Sequence, residues 1–103
     1  MGQNNYVKVL REKVLADCKP DWAFWVCTGR ILRNIYELSD GIENMNDAAF
    51  EYHVNDDNQK NDFAKWINDV LQDGDLAHRL KKVRDKKEYS RIIKDRIRFL
   101  ESA

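Results

Sequence analysis

His53, in the run FEYHVND, is the residue whose type and setting come closest to chemistry. An imidazole followed by Asn55, Asp56 and Asp57, with Asn61 and Asp62 one short loop later, could serve as an acid–base group or share a metal ion with carboxylates. A metal site needs three or four ligands at tight spacing, and His78 is the only other histidine, on a different predicted helix. The oxygens of Asn55, Asn61 and Asp62 could bind a hard cation, but the run lacks the glycine and the well-placed glutamate of an EF-hand loop. Helix caps and side-chain turns account for the same residues without a ligand, and His53 is then a structural histidine fixing its loop by hydrogen bonds. The candidate polar site is therefore His53, Asn55, Asn61 and Asp62, with no metal, cofactor or catalytic residue assigned.

Other routes to catalysis leave no mark. The two cysteines, Cys18 and Cys27, are too few for a disulfide framework and are not spaced as CxxC, so they read as reduced thiols. Four scattered glycines form no phosphate-binding loop. Carboxylates are abundant, but none falls into a named motif. The expectation is a protein that is not an enzyme.

Charge is more informative than any motif. The formal net charge is zero, yet residues 21–63 carry three Lys/Arg against nine Asp/Glu, and residues 79–98 carry ten against three. The basic stretch, with Arg79, Lys82, Lys86, Lys87, Arg91, Lys94 and Arg98 as its candidate surface and Lys81, Arg84 and Arg96 between them, could neutralise nucleic-acid phosphates. It could equally be a solvated helical face paired with Asp85, Glu88 and Asp95, or dock on the acidic middle of another copy. Among the aromatics, Trp25 and Trp66 are expected in the core. Trp22, beside Pro20 and Asp21, is the candidate exposed ring for stacking a ligand or a base.

The elements that must position these residues follow from periodicity. Val7, Leu10, Val14 and Cys18 predict a helix over 5–18 that Pro20 ends. The uncharged run WAFWVC, then Thr28-Gly29, then RILR, predicts a small two-stranded hairpin near residues 23–33 that must lie on helices. Asn34 caps a helix bearing Ile35, Leu38, Ile42 and Met45, with Gly41 inside it permitting close packing. Asn46 caps a short helix over 47–53, and residues 55–60 read as a polar loop. Asn61 or Asp62 caps a helix covered by Phe63, Trp66, Ile67, Val70 and Leu71, which Asp73-Gly74 breaks. Leu76, Leu80 and Val83 mark another helix, and Asp85 caps a last one with Tyr89, Ile92, Ile93, Ile97 and Leu100 inward.

The fold expected is mostly α: a single-domain helical bundle over 1–103, with five or six helices and one hairpin at its side. At 103 residues and 43% hydrophobic content the chain suffices for one core. The N-terminus lacks the apolar run of a signal peptide, and Tyr6 breaks a myristoylation pattern. No stretch approaches the ~20 apolar residues of a membrane span. A cytoplasmic protein without membrane attachment is expected.

The segments FWVCTGRILRNIYELSDGIENM, FEYHVN and NDFAKWINDVLQDGDLAHRLKK together resemble an uncharacterised prokaryotic domain family, frequent in archaea. Its members share an aromatic strand, a Y-H-V-N segment and an N-D-F-x-x-W-I helix, and occur alone or appended to larger proteins. The resemblance covers about residues 21–103, leaving 5–18 as an N-terminal addition, and the loop NDDNQK is longer than the family's usual connection. It implies a fold and a prokaryotic setting, and supplies no catalytic residues. The function expected is a non-enzymatic interaction or adaptor module acting through a protein partner or self-association. The alternatives are nucleic-acid binding through 79–98 and a small-ligand or metal site around His53.

Overall fold

Five asparagine and aspartate side chains set where the helices begin. The structure, a computed structural model, describes residues 2–57 and 59–103, the first four of these by backbone alone; Met1, and Asn58 of the expected 55–60 loop, lie outside the described residues. Asn34 Oδ1 accepts from Glu37 N–H and opens α2 (Ile35–Asn44); Asn46 does the same for Ala49 N–H at α3 (Asp47–His53). Asn61 opens α4 (Asp62–Trp66), Asp73 opens α5 (Gly74–Leu80) and Asp85 opens α6 (Lys86–Glu101). Each cap satisfies an N–H that the first turn leaves without a carbonyl. With α1 (Gly2–Val14), six α-helices are present among the described residues.

The aromatic run forms the expected hairpin. β1 (Phe24–Trp25) pairs antiparallel with β2 (Ile31–Leu32), with Phe24 opposite Leu32 and Trp25 opposite Ile31. Gly29, at φ +103°, takes the left-handed turn that an L side chain would resist. The hairpin lies on α2 through a close approach at Gly41, where a Cβ would stand 3.0 Å from Leu32 Cδ2.

Helix α6 organises the core, packing against α1, α2 and α5. Tyr89, Ile93 and Leu100 on α6 are fully buried, as are Leu38 and Ile42 on α2, Leu76 and Leu80 on α5, and Phe63 and Ile67 between them. An amphipathic stripe on each short helix thus finds its partner in one shared interior, which helices of this length need in order to persist.

Several expectations are corrected. The first helix ends at Val14 rather than 18, because Cys18 N–H is drawn into a bond to Arg33 O (2.8 Å) where the chain leaves the hairpin. Pro20 instead opens a 3₁₀ turn, Pro20–Trp22. Trp25 is not core: it is 69% exposed. Strand alternation is the reason, since Phe24 and Val26 take the inward positions and put Trp25 on the outer face beside Ile31. The polar loop holds a second hairpin, β3 (Val54–Asn55) with β4 (Lys60–Asn61). The helix through 63–71 is α4 followed by a π-helical turn, Ile67–Leu71, which keeps Ile67 and Leu71 buried and leaves Val70 half-exposed. The chain then leaves through Gln72 at φ +62°. Arg96, read as part of the basic surface, is buried (6% exposed).

Candidate functional site

His53 ends α3 and sits in a box of rings. Phe24, Tyr52 and Phe63 have centroids 5.1, 4.9 and 5.1 Å from the imidazole. Burial on this scale requires both ring nitrogens to find partners. Nε2 lies 3.0 Å from the backbone nitrogen of Cys27, at the hairpin turn, and Nδ1 lies 2.9 Å from Asp62 Oδ2, in the first turn of α4. A backbone N–H can only donate, so Nε2 accepts and the proton sits on Nδ1, donated to Asp62. Asp62 Oδ2 also takes Lys60 Nζ at 2.5 Å, and that ammonium reaches Tyr52 O (3.1 Å) and lies over the Tyr52 ring.

A carboxylate orienting an imidazole through Nδ1 is the arrangement found behind many nucleophiles. Here the nitrogen that would take a proton, Nε2, is already filled by a backbone N–H. The linkage ties hairpin β1–β2, α3 and α4 together, and no lone pair of His53 is left for proton abstraction.

Of the four residues in the candidate polar site, the structure brings together only His53 and Asp62. Asn55 turns back onto α3, its Nδ2 donating to Glu51 O at 2.9 Å. Asn61 faces the opposite way: its Nδ2 donates to Leu80 O (2.9 Å) and Lys81 O (3.3 Å), and its Oδ1 accepts from Ala64 N–H and from the Tyr89 hydroxyl at 2.6 Å. The four hydrogen bonds of Asn61 thus join α4, α5 and α6. Tyr89 is fully buried there, and burial pushes its hydroxyl pKa well above the usual tyrosine value, although hydrogen bonding works the other way. Among the described residues no three His, Cys, Asp or Glu side chains converge as metal ligands would.

The basic segment divides in two. Arg84 pairs with Asp56 (2.7 Å), Lys86 with Asp47 (3.9 Å) and Lys94 with Glu43, all carboxylates of the acidic middle of the same chain. Arg91 is held by Glu88 and Asp95 on α6, and Arg98 by Asp95. Buried Arg96 forks onto Asp73 through Nε (2.8 Å) and an amino nitrogen (2.9 Å), while Asp73 also caps α5. Arg79, Lys81, Lys82 and Lys87 have no carboxylate within ion-pair distance among the described residues.

The exposed aromatic surface is larger than Trp22 alone. Trp22 is 50% exposed with Lys19 Nζ over its ring, while Trp25 and Ile31 (41% exposed) stand as a cross-strand pair on the outer face of the hairpin. Trp66 is buried, its indole N–H donating to Trp22 O at 2.7 Å and pinning the 3₁₀ turn. Sequence reasoning missed Trp25 and Ile31; period-two alternation separates Trp25 from Phe24 and Val26, but both faces of the run are apolar, and packing decides which one is dry.

A family model described as a family of unknown function, DUF5752, matches residues 24–102, and the chain belongs to that family. The match takes in both hairpins and α2–α6, and leaves α1 and the 3₁₀ turn outside it. Neither a curated protein nor a solved structure gave a significant match. Among the described residues no helix is long and apolar enough to cross a membrane.

Proposed function

We propose that this member of the DUF5752 family is a non-enzymatic interaction module that docks a folded protein partner on the outer face of its first hairpin. The observation that carries this reading is Trp25, 69% exposed and directly opposite Ile31, with the half-exposed Trp22 in the 3₁₀ turn that precedes the strand. Exposed tryptophan is costly to leave in water, and at interfaces it supplies a large share of the binding energy. The partner is taken to be an apolar protein surface rather than nucleic acid. Ile31 offers no ring on which a base can stack, and the nearest arginines are engaged: Arg30 with Asp40 at 2.7 Å, Arg33 with Glu37 at 3.2 Å. The non-enzymatic reading draws on His53, whose Nε2 is already occupied.

The test is affinity capture from a lysate of the native host with the wild-type chain and with a Trp25→Ser/Ile31→Ser double variant, followed by photo-crosslinking from position 25. The expected result is one protein captured and crosslinked at position 25, with capture reduced about tenfold or more in the variant. Both side chains face outward, so the variant should keep its thermal midpoint. Equal capture by the two proteins would sink the reading.

Phosphate binding along the whole of 79–98 has less support, because most of that segment's arginines and lysines already have carboxylate partners.

A further inference from the structure

A cleft of about 840 Å³ opens between the β3–β4 connection, α4 and α5, within the size range of small-molecule sites. Its lining holds five cations, Lys60, Lys65, Lys81, Lys82 and Arg84, against two carboxylates, Asp56 and Asp62. Both carboxylates are spoken for: Arg84 holds Asp56, and Lys60 with His53 holds Asp62. That leaves Lys65, Lys81 and Lys82, whose ammonium groups meet no acceptor among the described residues.

A structural duty for the last two would be to cover the carbonyls at the end of α5. That duty is filled by others. Asn61 Nδ2 reaches Leu80 O and Lys81 O, and the Arg84 guanidinium reaches Lys81 O at 3.0 Å and Val83 O at 3.2 Å. Three unneutralised ammonium groups therefore share one concave surface, where low-dielectric walls concentrate their field. Uncharged donors stand beside them in the amides of Gln59 and Asn68, the latter with one hydrogen already given to Asp69 Oδ1 (3.1 Å).

We propose that this cleft binds a compact oligophosphate, a small molecule carrying several phosphate groups. Lysine suits this ligand because its ammonium acts as a point charge on a flexible stem, adaptable to phosphates in different positions. No Phe, Tyr or Trp lines the cleft and its one ring is the imidazole of His78, so recognition is mainly by charge rather than by stacking on a base. The site is separate from the hairpin face and stands or falls independently of it.

Isothermal titration of the full chain with inorganic tripolyphosphate tests the proposal, at low salt and again at physiological ionic strength. One saturable site is expected, weakened by salt and by about tenfold or more in Lys65→Ala/Lys81→Ala/Lys82→Ala. Arg79→Ala/Lys87→Ala removes two unpaired cations outside the cleft and should leave the affinity unchanged. All five side chains are exposed, so circular dichroism should show both variants folded. Absence of saturable binding, or equal weakening by the control variant, would overturn the proposal. So would a single-stranded oligonucleotide binding through the same lysines about tenfold more tightly than tripolyphosphate, which would assign the cleft to a nucleic-acid strand.

Discussion

His53 shows how a side chain suited to catalysis is used up by structure. Its two nitrogens bridge a backbone N–H on one hairpin and a carboxylate on α4, and its ring fills a box of aromatics. Truncation to alanine would leave a cavity and remove the acceptor for Cys27 N–H, while Asp62 would keep Lys60. Cavity and lost hydrogen bonds together predict a destabilisation of about 2–4 kcal/mol for His53→Ala, read as a lower urea midpoint. A change below about 1 kcal/mol, within the range of ordinary surface substitutions, would show that the imidazole does not hold the three elements together. The pairing of His53 with Asp62 was legible as a candidate in the sequence. The occupation of Nε2 was not, because Cys27 lies 26 residues away and contributes only its backbone.

Between elements, the most consequential contact is the fork of Arg96 on Asp73, which fastens α6 to the start of α5. Both side chains are buried, at 6% and 1% exposure. Removing Arg96 strands the Asp73 charge away from water, and removing Asp73 leaves Arg96 only the exposed Asp75 at 3.9 Å, so Arg96→Ala and Asp73→Ala should each destabilise by about 3–5 kcal/mol. Asp73→Ala should sit at the higher end, since it also loses the α5 cap. The double variant should cost clearly less than the sum, and a denaturant-based double-mutant cycle measures that difference. Additive losses would mean the two residues act separately. In sequence Arg96 is one of ten cations among twenty residues; its spacing, three after Ile93 and four before Leu100, puts it on the buried stripe of α6, while its charge reads as surface. Its partner follows from where Asp73 opens α5, and Asp73 itself reads in sequence only as a helix breaker.

Across the whole molecule, the opposed charge blocks of the chain fold onto one another. Glu43, Asp47 and Asp56 of the acidic middle meet Lys94, Lys86 and Arg84 of the basic end, so much of the segregation is resolved within one copy. Such pairs add little stability individually but fix how α6 and the segment leading into it lie against α2, α3 and the second hairpin. Tyr36 and Cys18 also titrate above their ordinary values, mainly through burial, and the most buried group that alkali must ionise is Tyr89. Its pKa is raised in the folded state by burial, so its contribution is fully present below the unfolded tyrosine value of about 10 and is lost as pH rises beyond it. Absorbance titration should show Tyr89 ionising only together with the loss of helical circular dichroism. Ionisation of all four tyrosines while the helices remain would contradict this.

What the sequence determined by itself is local. Helix starts at Asn34, Asn46, Asn61 and Asp85 and the hairpin turn at Gly29 each depend on a side chain or backbone freedom acting within a few residues. Amphipathic periodicity likewise determined most of the core. Tertiary structure alone decided which face of the aromatic strand is dry, which carboxylate holds the buried Arg96, and which lysines are left without a carboxylate among the described residues. Those outcomes depend on groups distant in sequence arriving at the same place, and the free energy of a charge or an indole is set by that neighbourhood rather than by its flanking residues. The polar site around His53 ties three elements together, and the surfaces we propose for binding are the outer face of the first hairpin and the lysine-lined cleft beside α5.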